Sequence, residues 1–135
     1  MAKMHLDIVT PDRQLVSEDV TMVIVRAIDG EAGILPGHAP LILALGISPL
    51  RYFKEDNEFL VSICGGVIQV ENDQVTVLAT CAECCDDIDV KRAEAAKERA
   101  EDRLKNLNGE IDARRAELAL QRALTRLQVA QQSRR

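Results

Sequence analysis

The feature that most constrains this chain is an abrupt change of physical pattern near residue 87. Before it, short apolar stretches alternate with polar residues and turn formers. After it, Ala, Leu, Glu and Arg recur at helical spacing. All 4 Pro lie before the change, and Gly109 is the single glycine beyond it. Charge divides at the same place: residues 1–86 hold 5 basic and 13 acidic residues, residues 87–135 hold 12 basic and 9 acidic. Period-two and period-3.6 segments in separate blocks predict an all-β domain over 1–86 and an α-helical hairpin over 87–135.

The strand signals are Leu6-Asp7-Ile8, Val20 through Val25, Leu60 through Cys64, Val67 through Val70 and Val75 through Leu78. Glu55-Asp56-Asn57 and Asn72-Asp73 are turn signals between them, and Gly65-Gly66 predicts a bulge or tight turn inside an apolar run. Many short strands at close spacing indicate a sandwich or barrel. Residues 29–40 hold three Gly and two Pro and read as a structured loop.

In the second block, Asp87 or Asp89 is placed to cap a first helix. Ala93, Ala96, Ala100, Leu104 and Leu107 share one face of it, and Asn106-Leu107-Asn108-Gly109 stops it. A second helix runs from about Ile111 to Gln131, with Ala113, Ala116, Leu120, Ala123, Leu124 and Leu127 on one face. The short break makes the pair antiparallel. An alanine seam buries far less apolar area than a leucine seam. The two helices are therefore stable by propensity and loosely zipped, the setting for a movable element; the alternative is a rigid hairpin with a solvated outer face.

Several function classes are excluded. Aromatics make up 2% of the 135 residues, too few for base stacking, and the net charge of −5 does not suit a polyanion-binding surface. No apolar run approaches the roughly 18 residues needed to cross a bilayer. Met1 to Thr10 carries His5 and Asp7 and has no signal-peptide character, so the chain reads as cytosolic, beside a membrane only through a partner. No phosphate-binding loop, dinucleotide fingerprint, catalytic triad or acid–base carboxylate pair is present, so no activity of its own is expected.

Cys81-Ala-Glu-Cys84 has C-x-x-C spacing, with Cys85 following at once and Cys64 distant. One reading is a zinc or thiol-redox site. On a strand, however, Cys81 and Cys85 face one side and Cys84 the other, which suits a single metal poorly. The reading taken is small buried apolar groups in a reducing compartment.

Arg92 and Arg99 share a stripe on the first helix, and Arg115, Arg122 and Arg126 share one on the second. Two guanidinium stripes on a closing hairpin can grip a polyanion; the alternative is surface pairing such as Glu101 with Lys105 or Asp112 with Arg115.

Gly33-Ile34-Leu35-Pro36-Gly37-His38-Ala39-Pro40-Leu41 resembles the signature loop of the epsilon-subunit family of bacterial F-type ATP synthases. The opening Leu6 to Pro11, Gly65-Gly66-Val67 and the ending Arg122-Ala123-Leu124-Thr125-Arg126-Leu127 are similar to the same family, so the resemblance spans the chain. It implies a sandwich of about ten strands and a two-helix hairpin. It also implies a non-catalytic rotor-stalk role bound to a gamma subunit and a ring of c subunits, at the cytoplasmic face of the cell membrane. Glu31 and His38 would approach the c-ring. The isolated chain would be a monomer, with no nucleic-acid partner. The hairpin would lie against the sandwich or extend towards a beta subunit and block ATP hydrolysis.

Ile88-Asp89-Val90-Lys91-Arg92-Ala93 further resembles the motif of the ATP-binding branch of that family. The resemblance implies ATP as a regulatory ligand, with magnesium undetermined. Arg92, Arg99, Arg122 and Arg126 would engage phosphates, and Glu83, Ile88, Asp89 and Ala93 would surround base and ribose.

Overall fold

Alternation in the first strand already builds one wall of the core. In β1 (Met4–Val9), Met4, Leu6 and Ile8 are buried, while His5, Asp7 and Val9 are partly exposed. The structure, a computed structural model, describes residues 2–106 and 110–131. The remaining strands are β2 (Gln14–Val20), β3 (Met22–Ala27), β4 (Gly30–Ile34), β5 (Leu41–Lys54), β6 (Asn57–Glu71), β7 (Gln74–Ala79) and β8 (Ala82–Cys84). A 3-10 turn at Cys85–Asp87 leads into α1 (Val90–Lys105) and α2 (Glu110–Ala130).

Strand order is β2-β1-β7-β6-β5-β3-β4, with β8 added to β6. Only β1 and β7 run parallel among these pairs. β5 and β6 pair along nearly their whole length, from Leu41 opposite Val70 to Lys54 opposite Asn57. The first part of β6 pairs with β8 and the last part with β7, the change falling at Gly65-Gly66. The two long strands thus pass through both layers of the sandwich; counting each half separately turns eight strands into the expected ten.

Gly66 is required at that change. Its φ is 145°, and a Cβ there would overlap the Leu78 carbonyl oxygen and lie 2.8 Å from the Ala79 Cα. Asn72 and Asp73, with φ of 51° and 58°, make the β6–β7 turn in the left-handed conformation that primed hairpin turns demand.

The core gathers Leu6, Ile8, Val23, Ile34, Leu50, Val61, Ile68, Val75 and Val77 from six strands. Tyr52 is buried with them and stacks on Phe59, ring centroids 5.1 Å apart. Two expectations need correction. The run Val20 to Val25 is split, because Thr21 ends one strand and its N–H turns to the Phe53 carbonyl. Residues 29–40 are not all loop: Gly30–Ile34 pairs with β3 from Ala27 opposite Gly30 to Val23 opposite Ile34. Gly30, at φ 137°, allows the tight return, and the apolar alternation is too short to announce the strand.

The hairpin forms as expected, with α2 as its middle layer. Ala93 and Ala100 on α1 and Ala116 and Ala123 on α2 are buried. Thr125 and Val129, on the opposite side of α2 by helical spacing, are buried as well, and α2 packs against β5, β6 and β8. The hairpin therefore lies folded against the sandwich. Leu124, expected on the seam, is 45% exposed because it falls at the edge of that face. Asn106 ends α1, its N–H bonding the Asp102 and Arg103 carbonyls at 3.2 Å; Leu107, Asn108 and Gly109 lie outside the described residues. Among the described residues no helix is long and apolar enough to cross a membrane.

Candidate functional site

The segment joining sandwich to hairpin creates a cleft. β8 is short because its partner, β6, offers it only Val61 to Ile63, after which the chain must leave the sheet. Cys85–Asp87 turns it, and Asp89 starts α1 by accepting the Arg92 N–H at 3.1 Å through its carboxylate. Of the two capping candidates, Asp89 performs the role. Asp87 instead accepts from Arg13 Nη2 at 3.1 Å, pinning the connection to the β1–β2 turn. Ile88, between them, is buried.

Folding α2 onto the sandwich brings Arg126 over β8. Its Nε donates to Glu83 Oε1 at 2.6 Å, both side chains about one-third exposed. Around this bond Cys81, Glu83, Asp87, Asp89, Arg92, Ala93 and Arg126 line a cleft of about 250 Å³. Residues 43 apart in sequence thus share one concavity. Two guanidinium groups and three carboxylates in a half-open site supply donors for phosphate oxygens and acceptors for hydroxyl and amino groups.

Of the eight residues expected at a nucleotide site, Glu83, Asp89, Arg92, Ala93 and Arg126 line the cleft. Ile88 lies buried next to Asp89. Arg99 and Arg122 are not on its walls. Arg99 is two helical turns further along α1 and Arg122 one turn back along α2, which in an antiparallel pair is the same direction. Asp87, named from the sequence only as a capping candidate, is a wall of the cleft, and its partner Arg13 carried no signal of that contact. On the hairpin surface the ion pair formed is Arg114 with Glu117 at 3.8 Å.

The cysteines also need correction. Cys64 and Cys81 stand as a pair with their sulfurs in contact and their Cα atoms 5.3 Å apart, rather than as separate apolar groups. Their strands were not recognisable as neighbours, because the two residues are 17 apart and β8 is only three residues long. As alternation predicts, Cys84 turns the other way, against the sandwich core, and burial pushes its thiol up to about 11. Among the described residues no three metal-ligating side chains gather into a site.

Glu31 is exposed on β4, opposite Arg26, not in a loop. His38 is half-buried in the following turn, its N–H donating to the Leu35 carbonyl at 3.1 Å. The neighbouring Gly37 N–H donates to Asp73 Oδ1 at 2.7 Å, holding this turn to the β6–β7 turn.

A second surface stands out on the sheet. Val67 pairs with Ala44 on one side and Leu78 on the other. Val67, Leu78, Ile42 and Ile28 are exposed large apolar side chains in that part of the sheet.

A β-sandwich with a two-helix hairpin folded against it, and a cleft at the junction, defines the architecture of this chain. The family models agree in both halves: the beta-sandwich domain of the ATP synthase delta/epsilon chain matches residues 3–84, and its long alpha-helix domain matches residues 86–131. The chain belongs to the ATP synthase delta/epsilon chain family, whose members are non-catalytic stalk subunits. Among curated relatives, the ATP synthase epsilon chain of Pelotomaculum thermopropionicum is 53% identical over 95% of this chain and 96% of its own. That of Desulforamulus reducens is 48% identical over 97% and 100%. A chain in a cryo-EM structure of the Euglena gracilis mitochondrial ATP synthase, titled OSCP/F1/c-ring, shares the fold with a TM-score of 0.81 at 24% identity, covering 96% of this chain and 82% of that one.

Proposed function

We propose that this chain is an epsilon-type rotor subunit of the central stalk of a bacterial F-type ATP synthase, and that its hairpin is a nucleotide-sensitive brake on ATP hydrolysis. The observation that carries the reading is the cleft between β8 and the folded hairpin, lined from the sandwich by Glu83 and from both helices by Arg92 and Arg126. A triphosphate fits this donor set: Arg92 and Arg126 take phosphate oxygens, and Glu83 and Asp89 accept from base or ribose. Arg99 and Arg122 extend the positive stripe away from the cleft for the distal phosphates.

The proposed mechanism starts from where the walls of the cleft come from. Glu83 and Arg126 stand on different domains, so the cleft exists only while the hairpin is folded down. A ligand shifts an equilibrium only through differential affinity. At a hundred times its dissociation constant, ATP favours the folded state by about 2.7 kcal/mol. When ATP falls, the hairpin swings out and its basic face meets a beta subunit. The exposed apolar patch around Val67 and Leu78 supplies a seat for the gamma subunit, and the turn bearing His38, with Glu31 on the adjacent strand, faces the c-ring. In this reading the subunit works at the cytoplasmic face of the cell membrane.

A second reading is favoured by one observation. Arg126 already has a carboxylate partner in Glu83, a contact between hairpin and sandwich that uses no phosphate. In that case the hairpin inhibits by contact alone. Calorimetric titration of the isolated chain with ATP, with and without magnesium, separates the two. ATP should bind the native chain, and Arg92→Ala and Asp89→Ala should each bind it several-fold more weakly. Unchanged binding in both variants removes the site assignment, and no binding by the native chain leaves the contact-only brake.

A further inference from the structure

Cys64 sits in β6 just where that strand changes partners, one residue before Gly65. Cys81 sits between β7 and β8 and is itself a wall of the cleft. The Cys64 N–H donates to the Cys81 carbonyl at 3.0 Å, so the backbones are already neighbours before any sulfur chemistry. Their Cα separation of 5.3 Å lies in the range a disulfide spans without backbone movement. Both residues are partly exposed rather than buried.

We propose that the Cys64–Cys81 pair is a reversible redox modification site that sets how firmly the hairpin is held on the sandwich. The proposal rests on the hairpin being a movable element, and not on ATP binding. Cys81 is two residues from Glu83, the carboxylate that holds Arg126. With the disulfide closed, β8 is covalently fixed in its register on β6, Glu83 opposite Ser62, under the Arg126 guanidinium. With it open, the three-residue β8 is held only by its backbone bonds to β6 and its side-chain packing. It can then shift or fray, carrying Glu83 with it. A disulfide here is partly exposed, with Cys81 on the wall of an open cleft, and such bonds belong to the labile class rather than the structural one.

The chemistry balances with an ordinary partner. Two thiols, Cys64 and Cys81, lose two protons and two electrons as the S–S bond forms. The electrons reduce the disulfide of a small or protein dithiol couple, such as oxidised glutathione, to two thiols. Cys84 does not compete as an attacking group, since it turns into the sandwich core and stays protonated.

The test uses the full chain without nucleotide. It is poised in glutathione buffers of stepped ratio, alkylated and mapped by peptide mass, while hydrogen exchange reads the amides of residues 120–131. The expected result is a Cys64–Cys81 linked peptide that appears and disappears reversibly. Exchange in that segment should be about tenfold faster in the reduced form, with amides of β1 and β7 unchanged. Cys64→Ser and Cys81→Ser should each exchange like the reduced form in every buffer. A different linkage, no linkage at any ratio, or identical exchange in the oxidised and reduced native chain overturns the proposal. Because ATP is absent throughout, such a failure leaves the nucleotide reading standing.

Discussion

Arg126 and Glu83, 43 residues apart, form a direct polar link between the helical hairpin and the sandwich, Nε to Oε1 at 2.6 Å. Both side chains are about one-third exposed, so the contribution of the bond is modest despite its short length. A double-mutant cycle with Arg126→Ala and Glu83→Ala should give a coupling of about 0.5–1 kcal/mol in urea unfolding. It should fall towards zero in 1 M salt. A coupling of zero at low salt would mean that the pair does not hold the hairpin.

The apolar side of the same attachment is Val129, which is fully buried, next to Thr125. Val129→Ala should cost roughly 1–2 kcal/mol and loosen α2 from β5 and β6, measured by amide exchange in the last two turns of the helix. Leu124→Ala, at an exposed position on the same helix, should cost less than about 0.5 kcal/mol.

Asp89 has two duties that can be separated. Asp89→Ala removes the cap of α1 and should cost about 1 kcal/mol. Asp89→Ser keeps an oxygen for the Arg92 N–H and should restore most of that stability. Calorimetry then reads the second duty: if Asp89 also touches ATP, the Ser variant binds it more weakly while its α1 helicity stays native.

Gly66 tests the sandwich itself. Gly66→Ala drives a methyl into the Leu78 carbonyl at a φ of 145°, and should destabilise by more than about 2 kcal/mol. Gly33→Ala meets nothing within 4 Å and needs no positive φ, so its midpoint in urea should barely move.

His5 gives a pH signature. Its Nδ1 lies 2.9 Å from Asp19 Oδ1 and its Nε2 lies 3.3 Å from Asp7 Oδ1 and 3.0 Å from Ser17 Oγ. The hydrogen bond to Asp19, aided by the charge of Asp7, raises its pKa above the ordinary 6.5. The stabilisation is therefore complete below pH 6.5 and is lost as pH rises through the higher folded value. Asp7 behaves oppositely. Hydrogen bonds from Ser17 and Gln74, with His5 nearby, hold it below 3.8, so its contribution is present above 3.8 and lost as the solution is acidified through the folded value. NMR titration should show the His5 ring titrating high in the native chain and moving down in Asp19→Asn; an unmoved ring would refute the link.

Much of the fold was legible because its signals are local. Alternation along β1 and β7, the Asn72-Asp73 turn and the alanine periodicity of both helices each depend on residues within one element. β4 was not legible, since five residues with two glycines carry little periodicity and gain their partner only from β3. Nor was the second buried face of α2. Thr125 and Val129 read as ordinary helix residues until the sandwich is laid against them.

The site divides in the same way. Asp89, Arg92 and Ala93 are close in sequence, so their grouping follows from one capped helix start. Cys64 with Cys81, Arg13 with Asp87 and Glu83 with Arg126 are long-range pairs whose members carry no mark of one another. The sequence by itself determined two blocks, one β and one helical, and a loosely zipped alanine hairpin, because side-chain period and helix propensity act over a few residues. Only the tertiary structure decided that the hairpin folds back with α2 innermost, closing a charged cleft over β8. That choice depends on shape and charge matching between surfaces formed by residues far apart along the chain.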